Sequence, residues 1–106
     1  MSEQTVQVEV SDDGTGAALR GELDLLAYER VSAELSPLFA AAGDVVVDVS
    51  GLSFVDSSGI RLFVRLQRAL EERGRLHLRG ATPHVASVFE VAGLPELGIA
   101  VEPHDG

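Results

Sequence analysis

Hydrophobic and polar positions change their spacing several times along the chain, and each change marks a new element. Apolar residues alternate with polar ones over Thr5–Val10, which predicts a strand. The turn-forming run Ser11–Gly16 follows, and Ala17–Leu23 then predicts a second strand. The two strands together predict a β-hairpin at the start of the chain.

A helical spacing begins after Asp24. The apolar residues that recur with this spacing are Tyr28, Val31, Leu35, Leu38 and Ala42. Asp24 is expected to accept hydrogen bonds from the free N–H groups of the first turn, and Gly43 to end the helix. Pro37 interrupts the pattern, so we expect it to kink the helix or to restart it with Ser36 as a new cap.

The rest of the chain alternates between strands and helices. The valine run of Asp44–Val49 predicts an interior strand buried on both faces. The later predicted elements are a helix over Ser57–Arg73 ended by Gly74, a strand over Arg75–Gly80, a helix over Pro83–Ala92 ended by Gly93, and a short edge strand over Ile99–Val101.

The order of elements, β-β-α-β-α-β-α-β, predicts a single α/β domain over residues 1–106. We expect a mixed sheet of four to five strands with an N-terminal hairpin. Right-handed crossovers connect the parallel strands, and three or more helices pack mainly on one face of the sheet.

Composition narrows the classes of function. The chain has 106 residues, no cysteine and a formal net charge of −9, and all 8 of its basic residues are arginine. The lack of cysteine excludes disulfides and thiolate metal sites, and the negative charge disfavours direct binding to nucleic acid. The histidines His77, His84 and His104 lack the spacing of a metal site. We therefore expect no metal and no cofactor.

The first residues of the chain have neither the basic region nor the apolar core of a signal peptide. No apolar run is as long as a membrane span. The expectation is a cytoplasmic protein that does not insert into a membrane.

Two serines stand at a strand-to-helix junction in the stretch FVDSSGIRLF, Phe54–Phe63. A hydrolase would place its nucleophile at such a junction, in the pattern GxSxG. Here Val55 and Asp56 occupy the positions that the first glycine of that pattern needs, and nothing marks His84 or His104 as a base. A small hydrolase is nevertheless kept as an alternative from another class.

Capping is the structural explanation for this junction. Asp56 or Ser57 is expected to satisfy free N–H groups at the start of the helix, an interaction worth about 1 kcal/mol. Capping does not explain Gly59, because glycine in the first turn costs up to about 1 kcal/mol relative to alanine. The missing side chain predicts a close approach by another backbone or by a partner.

The helix after the junction is predicted to have two faces. The residues expected on its buried side are Ile60, Phe63, Val64, Leu66 and Leu70. Ser58, Arg61, Arg65 and Arg68 are spaced so that they share one row, which we expect to be exposed. This row is either a solvated face or a partner surface, because arginine is favoured at interfaces.

Four stretches of the chain resemble the STAS domain family. They are GELD (Gly21–Asp24), the valine strand, LSFVDSSGIRLFVRLQRAL (Leu52–Leu70) and VFEVAGL (Val88–Leu94). The order and the length of the chain are most similar to the free-standing bacterial members, the anti-sigma factor antagonists.

The resemblance implies a role as a regulated ligand instead of an enzyme. In that family the unphosphorylated antagonist binds an anti-sigma factor, which is a serine kinase, and a sigma factor is released. The resemblance implies that the kinase phosphorylates the second serine of DSSG, here Ser58, that phosphorylation abolishes binding, and that a metal-dependent serine phosphatase reverses it. Arg61, one turn further on, is expected to pair with the phosphate.

The residues expected to bind the partner are Asp24, Asp56, Ser57, Ser58, Gly59, Arg61 and Arg65. An alternative within the same fold is a STAS scaffold or accessory subunit of a stress-signalling or lipid-transport complex. Such a protein would keep the serine without a sigma factor partner.

Overall fold

Five strands and four α-helices make up the fold in the computed structural model, which describes residues 6–104. The strands are β1 (Val6–Val10), β2 (Gly16–Leu23), β3 (Val45–Val55), β4 (Leu76–Ala81) and β5 (Ala100–Pro103). The helices are α1 (Tyr28–Glu34), α2 (Ser36–Phe39), α3 (Ser57–Leu70) and α4 (Pro83–Val91), with 3-10 turns at Leu25–Ala27 and Pro95–Leu97. Thr5, which the sequence assigned to the first strand, lies outside the described residues.

The strands form one mixed sheet in the order β1-β2-β3-β4-β5. β1 pairs with β2 in antiparallel fashion, and all later neighbours are parallel. Each parallel connection therefore moves one strand further in the same direction. Right-handed crossovers in a constant direction put every connecting helix on the same face. The predicted α/β fold, with its N-terminal hairpin and its helices on one face, is confirmed.

Because the helices cover one face, the other face of the sheet is open. The valine run shows this most clearly: Val45, Val47 and Val49 are fully buried, whereas Val46 is half-buried and Asp48 is exposed. The prediction that this strand is buried on both faces is wrong. The one-directional topology decides which side is covered, and Asp48, on the same face as Val46, marks the open side in the sequence.

Pro37 interrupts the first helical region as expected, and the helix restarts. α1 ends at Glu34 and α2 contains Pro37 in its first turn, where the missing N–H is not needed. The expected cap is wrong, because Leu35 occupies that position and no side chain caps the turn. The helical region also ends at Phe39, earlier than the predicted end before Gly43.

The other predicted elements are present with shifted ends. β3 continues past Val49 to Val55, with two register shifts against β2 that absorb the extra length. α3 ends at Leu70 instead of Arg73, since Glu71 adopts a positive φ of 50°. The last strand is Ala100–Pro103, so it begins one residue later and ends two residues later than predicted.

The core lies between the sheet and the helices, and two contacts position α3 within it. The rings of Phe63 and Phe89 meet edge to face at 5.7 Å, which joins α3 to α4. At the start of α3, a Cβ on Gly59 would lie 2.5 Å from a methyl carbon of Val55 and 2.9 Å from Leu23. The first turn of α3 therefore rests directly on the ends of β2 and β3, which only glycine allows.

The open face carries a small charged network on its last two strands. Glu102 on β5 accepts from Arg79 Nε at 2.8 Å and contacts His77 Nδ1 at 2.8 Å, both on β4. His77 Nε2 also lies 3.5 Å from an oxygen of Asp44, the residue before β3. The hydrogen bonds from Arg79 and then His77 hold the pKa of Glu102 below its ordinary value of 4.5. The short edge strand is thus tied to β4 by charge as well as by backbone.

Gly59→Ala is expected to destabilise the fold. The added methyl group must displace Val55 and Leu23, and overpacking of a filled core costs about 1–3 kcal/mol. Urea denaturation followed by circular dichroism measures the change. Gly43→Ala is the matched control, because a Cβ there meets nothing within 4 Å and its free energy of unfolding should change by less than about 0.5 kcal/mol. Equal stability of the two variants would contradict the packing argument.

Glu102→Gln is expected to lower stability at neutral pH and to lose this effect in acid. A carboxylate with a lowered folded pKa stabilises the fold above its ordinary pKa of 4.5, and the contribution disappears as the pH falls through the folded pKa. The side chain is 37% exposed, so solvent screening keeps the effect below about 1 kcal/mol. Denaturation of both proteins between pH 7 and pH 3 should show converging stabilities, and a constant difference would contradict the assignment.

Candidate functional site

The carboxyl ends of β2 and β3 lie side by side and each is followed by an aspartate. Asp56 follows β3, and its N–H donates to the Leu23 carbonyl at 3.1 Å. Its Oδ1 accepts from the N–H groups of Ser58 at 2.8 Å and Gly59 at 3.3 Å, so Asp56 is the N-cap of α3. Its Oδ2 accepts from the Leu25 N–H at 3.2 Å. One carboxylate therefore joins two elements at the site.

Asp24 caps the neighbouring element in the predicted way. Its Oδ1 accepts from the Ala27 N–H at 3.2 Å, at the start of the 3-10 turn that leads into α1. The two aspartates thus lie at adjacent strand ends, each with its carboxylate directed at free N–H groups. The negative carboxylates interact with the partial positive charges of the free N–H groups, which stabilises both turns.

The two serines of the junction differ in exposure. Ser57 is the first residue of α3 and is exposed, whereas Ser58 is only 6% exposed. The expectation that Ser58 shares an exposed row with the arginines is wrong. Because Asp56 takes the cap position, Ser57 is the exposed first residue of the helix and Ser58 is buried in its first turn.

Gly59 is brought into the same turn, but it faces inward. Its close neighbours are Val55 and Leu23 of the same chain, so the close approach expected there is made by the protein's own strands. The buried side of α3 also differs from the prediction. Leu62 is fully buried, while Ile60 and Val64 are half-buried at the margins of the helix.

Arg61, Arg65 and Arg68 are exposed, as expected, and the first two are engaged by an aromatic side chain of α1. The guanidinium of Arg61 lies 5.2 Å from the centre of the Tyr28 ring, and that of Arg65 lies 5.9 Å from it. Arg65 also donates a hydrogen bond to the Tyr28 hydroxyl and lies 5.8 Å from the centre of the Phe39 ring. Sequence reasoning assigned Tyr28 only to the helical pattern and missed this contact.

Exposed apolar side chains flank the junction on both sides. On the side of the 3-10 turn, Leu25 is 63% and Leu26 is 90% exposed. On the other side, a groove of about 400 Å³ runs between α3 and α4. Its lining residues are Val55, Asp56, Ser57, Ile60, His84, Ser87, Val88, Val91 and Ala92. The sequence analysis did not identify these apolar residues as a surface. Two adjacent leucines after Asp24 are a signal for it, because a helix with one buried face cannot bury both.

The arrangement does not have the geometry of a hydrolase. His84 lines the same groove as Ser57, yet within residues 6–104 no hydrogen bond joins it to either serine. The Asp56 oxygens are engaged by backbone N–H groups and do not orient a histidine. Across the described part of the chain, no cluster of side chains has the composition of a metal site. None of the described helices combines the length and apolar character needed to cross a membrane.

Comparison with known proteins gives the class of this fold. The unphosphorylated form of the anti-sigma factor antagonist SpoIIAA superimposes with a TM-score of 0.70 at 31% identity, over 91% of this chain and 86% of the other. The phosphorylated form of the Bacillus cell fate determinant SpoIIAA superimposes with a TM-score of 0.63 at 30% identity, over 91% and 89%. The fold is therefore the one that SpoIIAA adopts.

Sequence comparison gives the family. The family model described as "Mlab, STAS domain" matches residues 6–99. The anti-sigma-B factor antagonist of Staphylococcus aureus is 30% identical over 79 residues, 73% of each chain. The chain belongs to the STAS domain family, as its sequence motifs predicted. These relatives are regulators by name, which agrees with the prediction that the chain is not an enzyme.

Proposed function

We propose that this protein is an anti-sigma factor antagonist whose binding is controlled by phosphorylation at the DSSG junction. The unphosphorylated form binds an anti-sigma factor that is also a serine kinase, and a sigma factor is released. Phosphorylation ends binding, and a metal-dependent serine phosphatase restores it. Sigma factors act in the cytoplasm, so the proposal places the protein there.

One observation carries the proposal: the Asp56 cap holds an exposed serine at the first position of α3, between two apolar surfaces. Large exposed apolar side chains on a small domain mark a surface that a partner covers. Leu25 and Leu26 on one side and the α3–α4 groove on the other supply such a surface. The names of the relatives, anti-sigma factor antagonists, give the kind of partner.

Exposure supports Ser57 as the phosphate acceptor. The resemblance implied Ser58, but a kinase must bring ATP within reach of the hydroxyl, and Ser58 is only 6% exposed. Ser57 meets this requirement without a rearrangement of α3. The proposed modification is therefore on Ser57, one residue earlier. Asp24 and Asp56 stay in the proposed partner-binding region, whereas Ser58, at 6% exposure, is not proposed to contact the partner.

The charge of the phosphate explains the loss of binding. A phosphoserine carries a charge of about −1.5 to −2. At Ser57 it stands next to Asp56 and near Asp24, on a surface that the partner would otherwise exclude from water. A charge that is buried and unpaired at an interface costs several kcal/mol, and about 1.4 kcal/mol already lowers affinity tenfold.

The fold itself is expected to tolerate the phosphate. The first turn of a helix favours an anion, because its free N–H groups carry partial positive charge. The likeness of this chain to both the unphosphorylated and the phosphorylated SpoIIAA structures supports the same view. The proposed switch therefore acts at the surface.

A kinase assay tests the acceptor. The chain is incubated with each purified anti-sigma factor kinase of the same organism and ATP, and the phosphate is mapped by mass spectrometry. We expect a single phosphate on Ser57, constitutive binding by Ser57→Ala, and weakened binding by Ser57→Asp. Ser58→Ala is the matched control and should still be phosphorylated.

Two outcomes of this assay contradict parts of the proposal. Phosphate on Ser58 alone would restore the expectation from the sequence and refute the argument from exposure. If no anti-sigma factor binds the unphosphorylated chain, the antagonist function is wrong. The alternative of a STAS scaffold or accessory subunit then becomes the better explanation.

Phosphorylation is expected to change affinity far more than stability. The phosphate is attracted by the N-terminus of α3 and repelled by the Asp56 carboxylate, and solvent screens both interactions. The free energy of unfolding should therefore change by less than about 1 kcal/mol. For a domain of this size, that corresponds to a Tm shift of no more than about 4–8 °C. Affinity for the anti-sigma factor, measured by calorimetry, should fall at least about tenfold. A large loss of helix signal on phosphorylation would indicate refolding and contradict a surface mechanism.

A further inference from the structure

Two arginines of α3 share one aromatic ring on α1. Arg61 and Arg65 are one helical turn apart, and their guanidinium groups lie 5.2 Å and 5.9 Å from the centre of the Tyr28 ring. An arginine over an aromatic ring is attracted by the negative charge of its face. Tyr28 thus connects α1 to the exposed side of α3, next to the DSSG junction.

The two arginines are held unequally. Arg65 donates a hydrogen bond to the Tyr28 hydroxyl and also stacks over Phe39, so three interactions fix its position. Arg61 has the ring contact with Tyr28 and no hydrogen bond to any residue within 6–104. A cation–π contact at an exposed site is weak compared with an arginine–phosphate ion pair. Arg61 is therefore the arginine that a nearby phosphate can withdraw.

Arg61 has the correct position to reach a phosphate on Ser57. The two residues are four apart on α3 and both are exposed, so their side chains are neighbours on one face. Side chains on a helix lean toward its N-terminus, which directs Arg61 back over the first turn. Ser58 is three residues from Arg61, but it is only 6% exposed.

We infer that Arg61 is a phosphate-responsive contact: it stacks on Tyr28 in the unphosphorylated protein and moves to the phosphate when Ser57 is modified. This inference rests on the proposed phosphorylation of Ser57. The movement would neutralise part of the added charge and uncover one face of the Tyr28 ring, while Arg65 keeps the ring in place. Phosphorylation would then alter the surface of α1 as well as the tip of α3.

Tyr28 provides a specific signal for this movement, because the chain has one tyrosine and no tryptophan. Phosphoserine is placed at position 57 of the full chain during recombinant expression, which requires no kinase and no anti-sigma factor. We expect the NMR resonances of the Tyr28 ring to shift on phosphorylation by the same sign and size as in unphosphorylated Arg61→Gln. In phosphorylated Arg61→Gln the ring should show no further shift.

Phosphorus NMR follows the other end of the contact. The phosphate of modified Ser57 should titrate at lower pH in the wild-type chain than in Arg61→Gln, where it should return toward the ordinary value of about 6. Arg65→Gln is the matched control: it should perturb the Tyr28 ring in both states and leave the phosphate titration unchanged. Phosphoserine at position 58 serves as a second control and should not reproduce the wild-type response.

The inference is overturned if phosphorylation at Ser57 leaves the Tyr28 resonances unchanged, or if the phosphate titrates identically with and without Arg61. Neither measurement involves a partner. Failure here therefore leaves the proposed antagonist function standing. Conversely, if the chain binds no anti-sigma factor, NMR can still show whether Arg61 moves from the Tyr28 ring to the phosphate.

Discussion

The Asp56 carboxylate is the interaction on which the site depends. It accepts hydrogen bonds from two N–H groups of the first turn of α3 and from the Leu25 N–H of the neighbouring 3-10 turn. The residue thereby sets where α3 begins, how it is rotated, and how close the segment after β2 comes to it. A helix that began one residue later would put Ser57 in the cap position and Ser58 at the first helical position, with each residue turned by about 100°. The Asp56 cap therefore sets the orientation of the α3 side chains in addition to stabilising the helix.

Packing against the sheet is a second constraint on the site. Gly59 allows α3 to rest on Val55 and Leu23, so the capped turn is fixed by packing as well as by hydrogen bonds. The first turn is therefore rigid on the side of the sheet and open on the side of solvent. Recognition surfaces benefit from such rigidity, because little conformational entropy is lost when a partner binds.

Much of this organisation can be predicted from local sequence. Alternating and helical spacings locate the strands and helices, and an aspartate before a helical pattern predicts its cap, as Asp24 and Asp56 both show. Other features depend on relations between distant segments. The contact of Tyr28 with Arg61 joins residues of different helices, and no local spacing predicts it. The open side of the valine strand, by contrast, is marked in the sequence by Asp48, which lies on the same face as Val46. The orientation of Ser58 was missed because two adjacent residues, Asp56 and Ser57, were equally suitable as caps.

Strand order along the sheet is the same as strand order along the chain. Each new strand therefore pairs with the strand made just before it, and no strand must be inserted between two others. Consecutive strands are neighbours, so the segments that must close to pair them are short for a largely parallel sheet. Short segments lower the entropy barrier to folding. During synthesis the sheet can grow from β1 toward β5 as the polypeptide leaves the ribosome, with each helix covering the most recent edge. The same one-directional winding that leaves a face of the sheet uncovered thus gives the chain a simple order of assembly.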